Sequence, residues 1–132
     1  MEIFLQDPGE IPLPPGEVRI RHVKVAPTPD TLRVRVFVET DPFQKRPNLD
    51  LSILDPGQNE VASASVIEPM NRKMELTMHL PSDSMAGEYC LAATLFYIQP
   101  LAEGESENPY QTKKDISHKN QVSFYWEPPG KA

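Results

Sequence analysis

The side chains that could carry out chemistry in this sequence are few and scattered. His22, His79 and His118 stand far apart, and none has a histidine or cysteine neighbour at the spacing a zinc site uses. Cys90 is the only cysteine, so the chain can form no internal disulfide and no cysteine-based metal cluster of its own. On its strand it is flanked by Ala92 and Thr94, which describes an inert, half-buried thiol rather than a nucleophile. Glu39, Asp41, Asp50 and Asp55 fall near strand ends, where sandwich domains can hold calcium, but no dense Asp/Asn loop supplies the several oxygen ligands calcium takes. No nucleophile elbow, phosphate-cradling glycine loop or zinc-protease helix is present. With no nucleophile, base and orienting group to name, the expectation is a non-enzymatic protein that needs no cofactor.

Two surfaces remain as candidates. Arg19, Arg21, Arg33 and Arg35 point outward together if the first two strands share a sheet, with Lys73 and His79 beside them. That arrangement is either an anion-binding face or a solvated face balanced by Glu39 and Glu75. The second surface is apolar: Leu54, Ala62, Ala64, Val66, Ala92, Phe96 and Ile98 form the outward set of another sheet if Val61 and Ile67 face the core. The opposite phase for this hairpin stays open, because Ser63 and Ser65 would then turn inward. A sheet face of small and aromatic residues without Lys/Glu cover suits a protein partner or a homodimer, or else lies beneath the chain's own N-terminal arm or its 99–118 loop. The leading expectation is therefore a protein-interaction or assembly module. The alternative is a module for glycans or anions, using Tyr110, Tyr125 or Trp126 as stacking platforms.

These residues need elements to position them. Fifteen prolines, about twice the usual share, are spaced so that the runs between them have strand length. Residues 1–17 read as an extended arm whose Ile3, Phe4 and Leu5 could dock on the core. From 18 to 25 the apolar alternation slips one place at Arg21-His22, as at a bulge. Residues 31–40 alternate cleanly on Leu32, Val34, Val36 and Val38. Segments 48–55 and 60–68 flank Pro56-Gly57, a pair suited to the centre of a type II turn, and should form a hairpin. Residues 72–80, 88–98 and 121–126 complete the set, with 99–118 as a long loop and 128–132 as a tail. The expected fold is all-β: a two-sheet antiparallel sandwich of about seven strands over residues 18–127.

The segment "PSDSMAGEYCLAATL" resembles the entry to the sixth strand of immunoglobulin-like and fibronectin type III-like sandwiches. The resemblance implies that Tyr89 forms a corner, its hydroxyl bonding to backbone a few residues upstream, with Leu91 where antibody domains carry a cysteine. It departs from the antibody pattern in placing Cys90 one position early and Trp126 in the last strand. The wider pattern, from "VRIRHVKV" to "GEYCLAATLFY", also resembles small uncharacterised bacterial sandwich proteins, which bring no activity with them.

At 132 residues the chain is the size of one domain, and its net charge of −6 and pI near 5.0 oppose a surface built for nucleic acid or anionic lipid. The start "MEIFLQDPGE" has no basic leader and no segment reaches membrane-span length, so a cytoplasmic protein with no membrane or nucleic-acid partner is expected.

Overall fold

The computed structural model describes residues 11–28, 31–100 and 112–127. Seven strands follow one another: β1 (Ile20–Thr28), β2 (Arg33–Thr40), β3 (Asn48–Leu54), β4 (Glu60–Ile67), β5 (Lys73–His79), β6 (Gly87–Pro100) and β7 (Thr112–Trp126). One sheet has the order β1-β2-β5 and the other β4-β3-β6-β7, with every neighbour antiparallel. The chain is thus the all-β two-sheet sandwich that its alternation predicts. No α-helix occurs among the described residues, so none is long and apolar enough to cross a membrane.

Period-two patterning sets the core. Val34, Val36 and Val38 on β2 are at most 2% exposed and face Leu49, Leu51 and Ile53 of β3 and Leu91, Ala93 and Leu95 of β6, all at most 1% exposed. Each large side chain buried in this layer contributes about 1.5–3 kcal/mol relative to exposure, so a one-residue slip in either sheet is strongly disfavoured. The slip at Arg21-His22 is present as a register shift between Ile20 and His22, which brings Val18 and Ile20 inward before the bulge and Val23 and Val25 after it.

Two expectations are corrected. Positive φ in the β3–β4 turn falls on Gln58 (69°), not Gly57, so the Pro56-Gly57 centre is not type II. Gln58 N–H donates to Asp55 C=O at 2.9 Å, and a left-handed residue after a type I-like turn closes the hairpin instead. Residues 112–118, expected as loop, belong to β7, and β6 runs on to Pro100 opposite Thr112. Residues 97–100 and 112–115 therefore continue the β6–β7 hairpin past Asn48, where β3 begins. The remainder of that expected loop, with Tyr110, lies outside the described residues, as do residues 1–10 and the tail 128–132. Of the arm, Leu13 is held by its N–H to Pro42 C=O and by its C=O from Gln44 N–H, both at 2.9 Å.

The two lateral sides of the sandwich differ. On the β1/β7 side a bulge at Ser117 turns two side chains toward the other sheet: Ser117 Oγ donates to Val18 C=O (2.5 Å), and His118 Nδ1 accepts from Ile20 N–H (2.9 Å). These bonds stitch the sheets together. On the β4/β5 side no such bond is present among the described residues. There the inward-facing Ala62, Ala64 and Val66 of β4 and Met74 and Leu76 of β5 remain only half-buried, although their neighbours one strand further in are fully buried.

Candidate interaction surfaces

Tyr89 assigns the faces of β6. Its hydroxyl donates to Met85 C=O at 2.7 Å, the backbone corner the resemblance implies, and burial pushes its pKa up. Tyr89, Leu91, Ala93, Leu95 and Tyr97 are consequently buried inward, leaving Cys90, Ala92, Thr94, Phe96 and Ile98 on the outer face. Cys90 is half-buried there, between Leu54 and Ser123.

The expected apolar patch does not stand as a unit. Ala62, Ala64 and Val66 pair with Ile53, Leu51 and Leu49, all inward residues, so they lie on the core side and Ser63, Ser65 and Ile67 face out. The reason is the register shift at Leu54/Glu60, which lets Val61 pack on the core while inverting the phase that Val61 implied for the rest of the strand. Phe96 is on the outer face yet only 3% exposed. Lys114 of β7 lies across its ring, Nζ 4.5 Å from the centroid, and ends on Asp50 Oδ2 at 2.8 Å. Asp50 Oδ1 in turn accepts from Ser65 Oγ at 2.7 Å, so one polar strap crosses all four strands. Burial pushes the Asp50 carboxyl up, but the hydrogen bonds from Lys114 and Ser65 and the Lys114 charge together hold it below its usual range. Leu54, Ala92 and Ile98 keep their outward positions. Ile67 and Ile116, at 64% and 49% exposure, are large apolar side chains on this face that the sequence pattern missed, and Tyr125, a candidate platform from the sequence, stands exposed beside them at 61%. Trp126 is fully buried, which removes it as a glycan platform, and its Nε1 has no partner among the described residues.

The four arginines do not form one basic face. Arg33 and Arg35 point outward from β2, where Arg33 lies in register with Thr28 and His79. Arg19 and Arg21 sit at the opposite end of β1, with Arg21 Nε 2.9 Å from Asp41 Oδ1. Arg35 is paired with Glu75 and lies 5.5 Å over the Phe37 ring. The next outward rows read Lys24–Phe37–Glu75 and His22–Glu39–Lys73, so charges alternate in sign. The Arg72 hydrogen bond, at 2.5 Å, holds Glu39 below the usual carboxylate range. A shallow groove of about 380 Å³ runs over Phe37 between these charges. The histidines stay apart: His22 and His79 at different ends of this face, His118 on the other sheet.

The strand edges are more distinctive than the faces. Edge strands expose unpaired backbone groups, and proteins protect them with charge, proline or bulges. β1 carries Arg21, Lys24 and Pro27; β5 carries Lys73 and Glu75; β7 carries Lys113, Lys114, Asp115 and Lys119. From Val61 to Ile67, β4 has no charge and no proline, and no strand lies on its outer side among the described residues. Edge and open core side coincide here.

No family model matches the chain, and no curated protein matches it. Among solved structures the fold recurs in a β-glucuronidase of Bifidobacterium dentium complexed with coumarin-3-O-glucuronide, with a TM-score of 0.52 and 17% identity over 83% of this chain. It also recurs in a glycosyl hydrolase family 2 member from Bacteroides cellulosilyticus DSM 14838, with a TM-score of 0.54 and 13% identity over 83% of this chain. The chain spans only 18% and 15% of those longer chains. At these identities the likeness is one of fold, that of a sandwich unit within a larger glycosidase chain.

Proposed function

We propose that this chain is a non-catalytic interaction module that docks an extended segment along the outer edge of β4. The observation that supports this reading is the unprotected edge from Val61 to Ile67 beside the half-buried Ala62, Ala64, Val66, Met74 and Leu76. A strand added there gains backbone hydrogen bonds from the edge and buries apolar side chains against an already ordered core. The outer sheet face serves this role less well, because the Lys114 strap already covers Phe96. The likeness to glycosidase chains supports the sandwich architecture alone.

A seven-residue peptide of alternating valine and threonine, titrated into the isotopically labelled chain at about millimolar concentration, tests it. Amide shifts should concentrate on β4 and β5. Amide directions alternate along a strand, so of Ser63→Pro and Ala64→Pro one removes a bond to β3 and the other removes only an outward N–H. The variant that keeps parental stability should lose peptide binding; undiminished binding by that variant refutes docking at this edge.

A further inference from the structure

Resting on that reading of the β4 edge, we infer that its occupant is a strand from another protein with an uncharged centre and a cationic residue at each end. The uncharged run of β4 is bracketed by Glu60 and Glu68, both exposed. The bulge after Glu60 shortens the run: Glu60 pairs with Leu54 and Ile67 with Asn48, about 20 Å at roughly 3.3 Å per residue, and Glu68 follows just past the strand with φ at 45°. Glu60 accepts from Ser52 Oγ, and among the described residues Glu68 is paired with Arg46 at the long distance of 3.9 Å. Both carboxylates therefore keep lone pairs for an incoming cation. Met70 Sδ already accepts from Arg46 Nη1 at 2.9 Å, so at the Glu68 end the apolar surface left for the stem of a lysine or arginine is that of Ile67, 64% exposed.

The same features disfavour a second copy. An antiparallel twofold about Ala64 uses the whole strand but sets Glu60 opposite Glu68 at both ends and, at its centre, Ser63 opposite Ser65 and Ala64 opposite itself. Each chain also carries a net charge of −6, so approach of two copies is repelled at long range. Alternate residues of a docked strand face the half-buried Ala62, Ala64 and Val66, whose small volume leaves room for β-branched side chains. The chemical description of the partner is an extended segment, β-branched on alternate positions, with Lys or Arg at each end.

The test uses the full chain and two nine-residue peptides with the same valine/threonine centre, one ending in lysines and one in glutamates. At low salt the lysine peptide should bind about tenfold tighter, and the ratio should fall below about twofold in 0.5 M salt or with the Glu60→Gln/Glu68→Gln chain. Equal affinities for the two peptides overturn the cationic partner and leave edge docking intact. No shift on β4 with either peptide overturns both. Concentration-dependent dimers in sedimentation, accompanied by protection of β4 amides, assign the edge to a second copy and likewise overturn the inference.

Discussion

Replacing Lys114 by alanine removes the strap that closes the outer face over Phe96. Three contributions are lost. The partly exposed ion pair with Asp50 contributes about 0.2–1 kcal/mol, and the cation–π contact at 4.5 Å about 0.5–1 kcal/mol. Phe96 is 3% exposed with the lysine in place; uncovering about a third of a ring whose full burial is worth about 1.5–3 kcal/mol costs roughly 0.5–1 kcal/mol. The expected destabilisation is about 1–3 kcal/mol, measured by urea unfolding as a lower midpoint with unchanged slope. Lys114→Met keeps an apolar stem over the ring and should cost less than half as much. Against Asp50→Asn, Lys114→Met should show a coupling of about 0.5 kcal/mol in a double-mutant cycle. A Lys114→Ala chain within about 0.3 kcal/mol of the parent would refute the strap as the cover of Phe96.

Gly87 holds φ at +154°, and a Cβ there would lie 2.7 Å from Pro56 Cγ, so Gly87→Ala should destabilise by about 1–3 kcal/mol. Adding Pro56→Ala should recover the clash but not the backbone strain, which thermal unfolding of the double variant reads directly. His118→Leu leaves Ile20 N–H without its acceptor and should cost about 1 kcal/mol, with faster amide exchange at Ile20 as the local signature. Tyr97, whose hydroxyl donates to Lys45 C=O at 2.9 Å, has its pKa pushed by burial from 10.0 to about 12. Its folded form holds the proton longer than the unfolded form, so stability is full below pH 10 and is lost as pH rises from about 10 toward 12; Tyr97→Phe should flatten that loss in alkaline unfolding.

What the sequence carries depends on how strongly neighbouring positions contrast. β2 sets valine against arginine and was legible residue by residue, and the bulge at Arg21 showed as a break in an otherwise strong alternation. β6 became legible once Tyr89 was placed, because a corner tyrosine fixes the inward phase of everything after it. β4 offered no such contrast: alanine and serine differ little in hydropathy, so a bulge next to Glu60 was enough to invert the phase anchored on Val61. β7 was hidden for a different reason. "TKKDISHKN" is polar on both faces and becomes a strand only by pairing with β6, a tertiary effect that local composition does not record. The strap over Phe96 joins residues 50, 96 and 114 on three strands, which no local pattern can relate. The open edge became visible only after the strand order was known, since an uncharged strand is unremarkable in the middle of a sheet and exposed at its side.

Residue-resolved amide hydrogen exchange on the chain alone tests whether β4 is an open docking edge. An edge strand bonds its neighbour through alternate amides only, so between Val61 and Ile67 every second amide should exchange orders of magnitude faster than those of β3, with the slow ones facing β3. Uniform protection along β4, matching β3, would mean that the edge is already occupied and would contradict its role as the docking site.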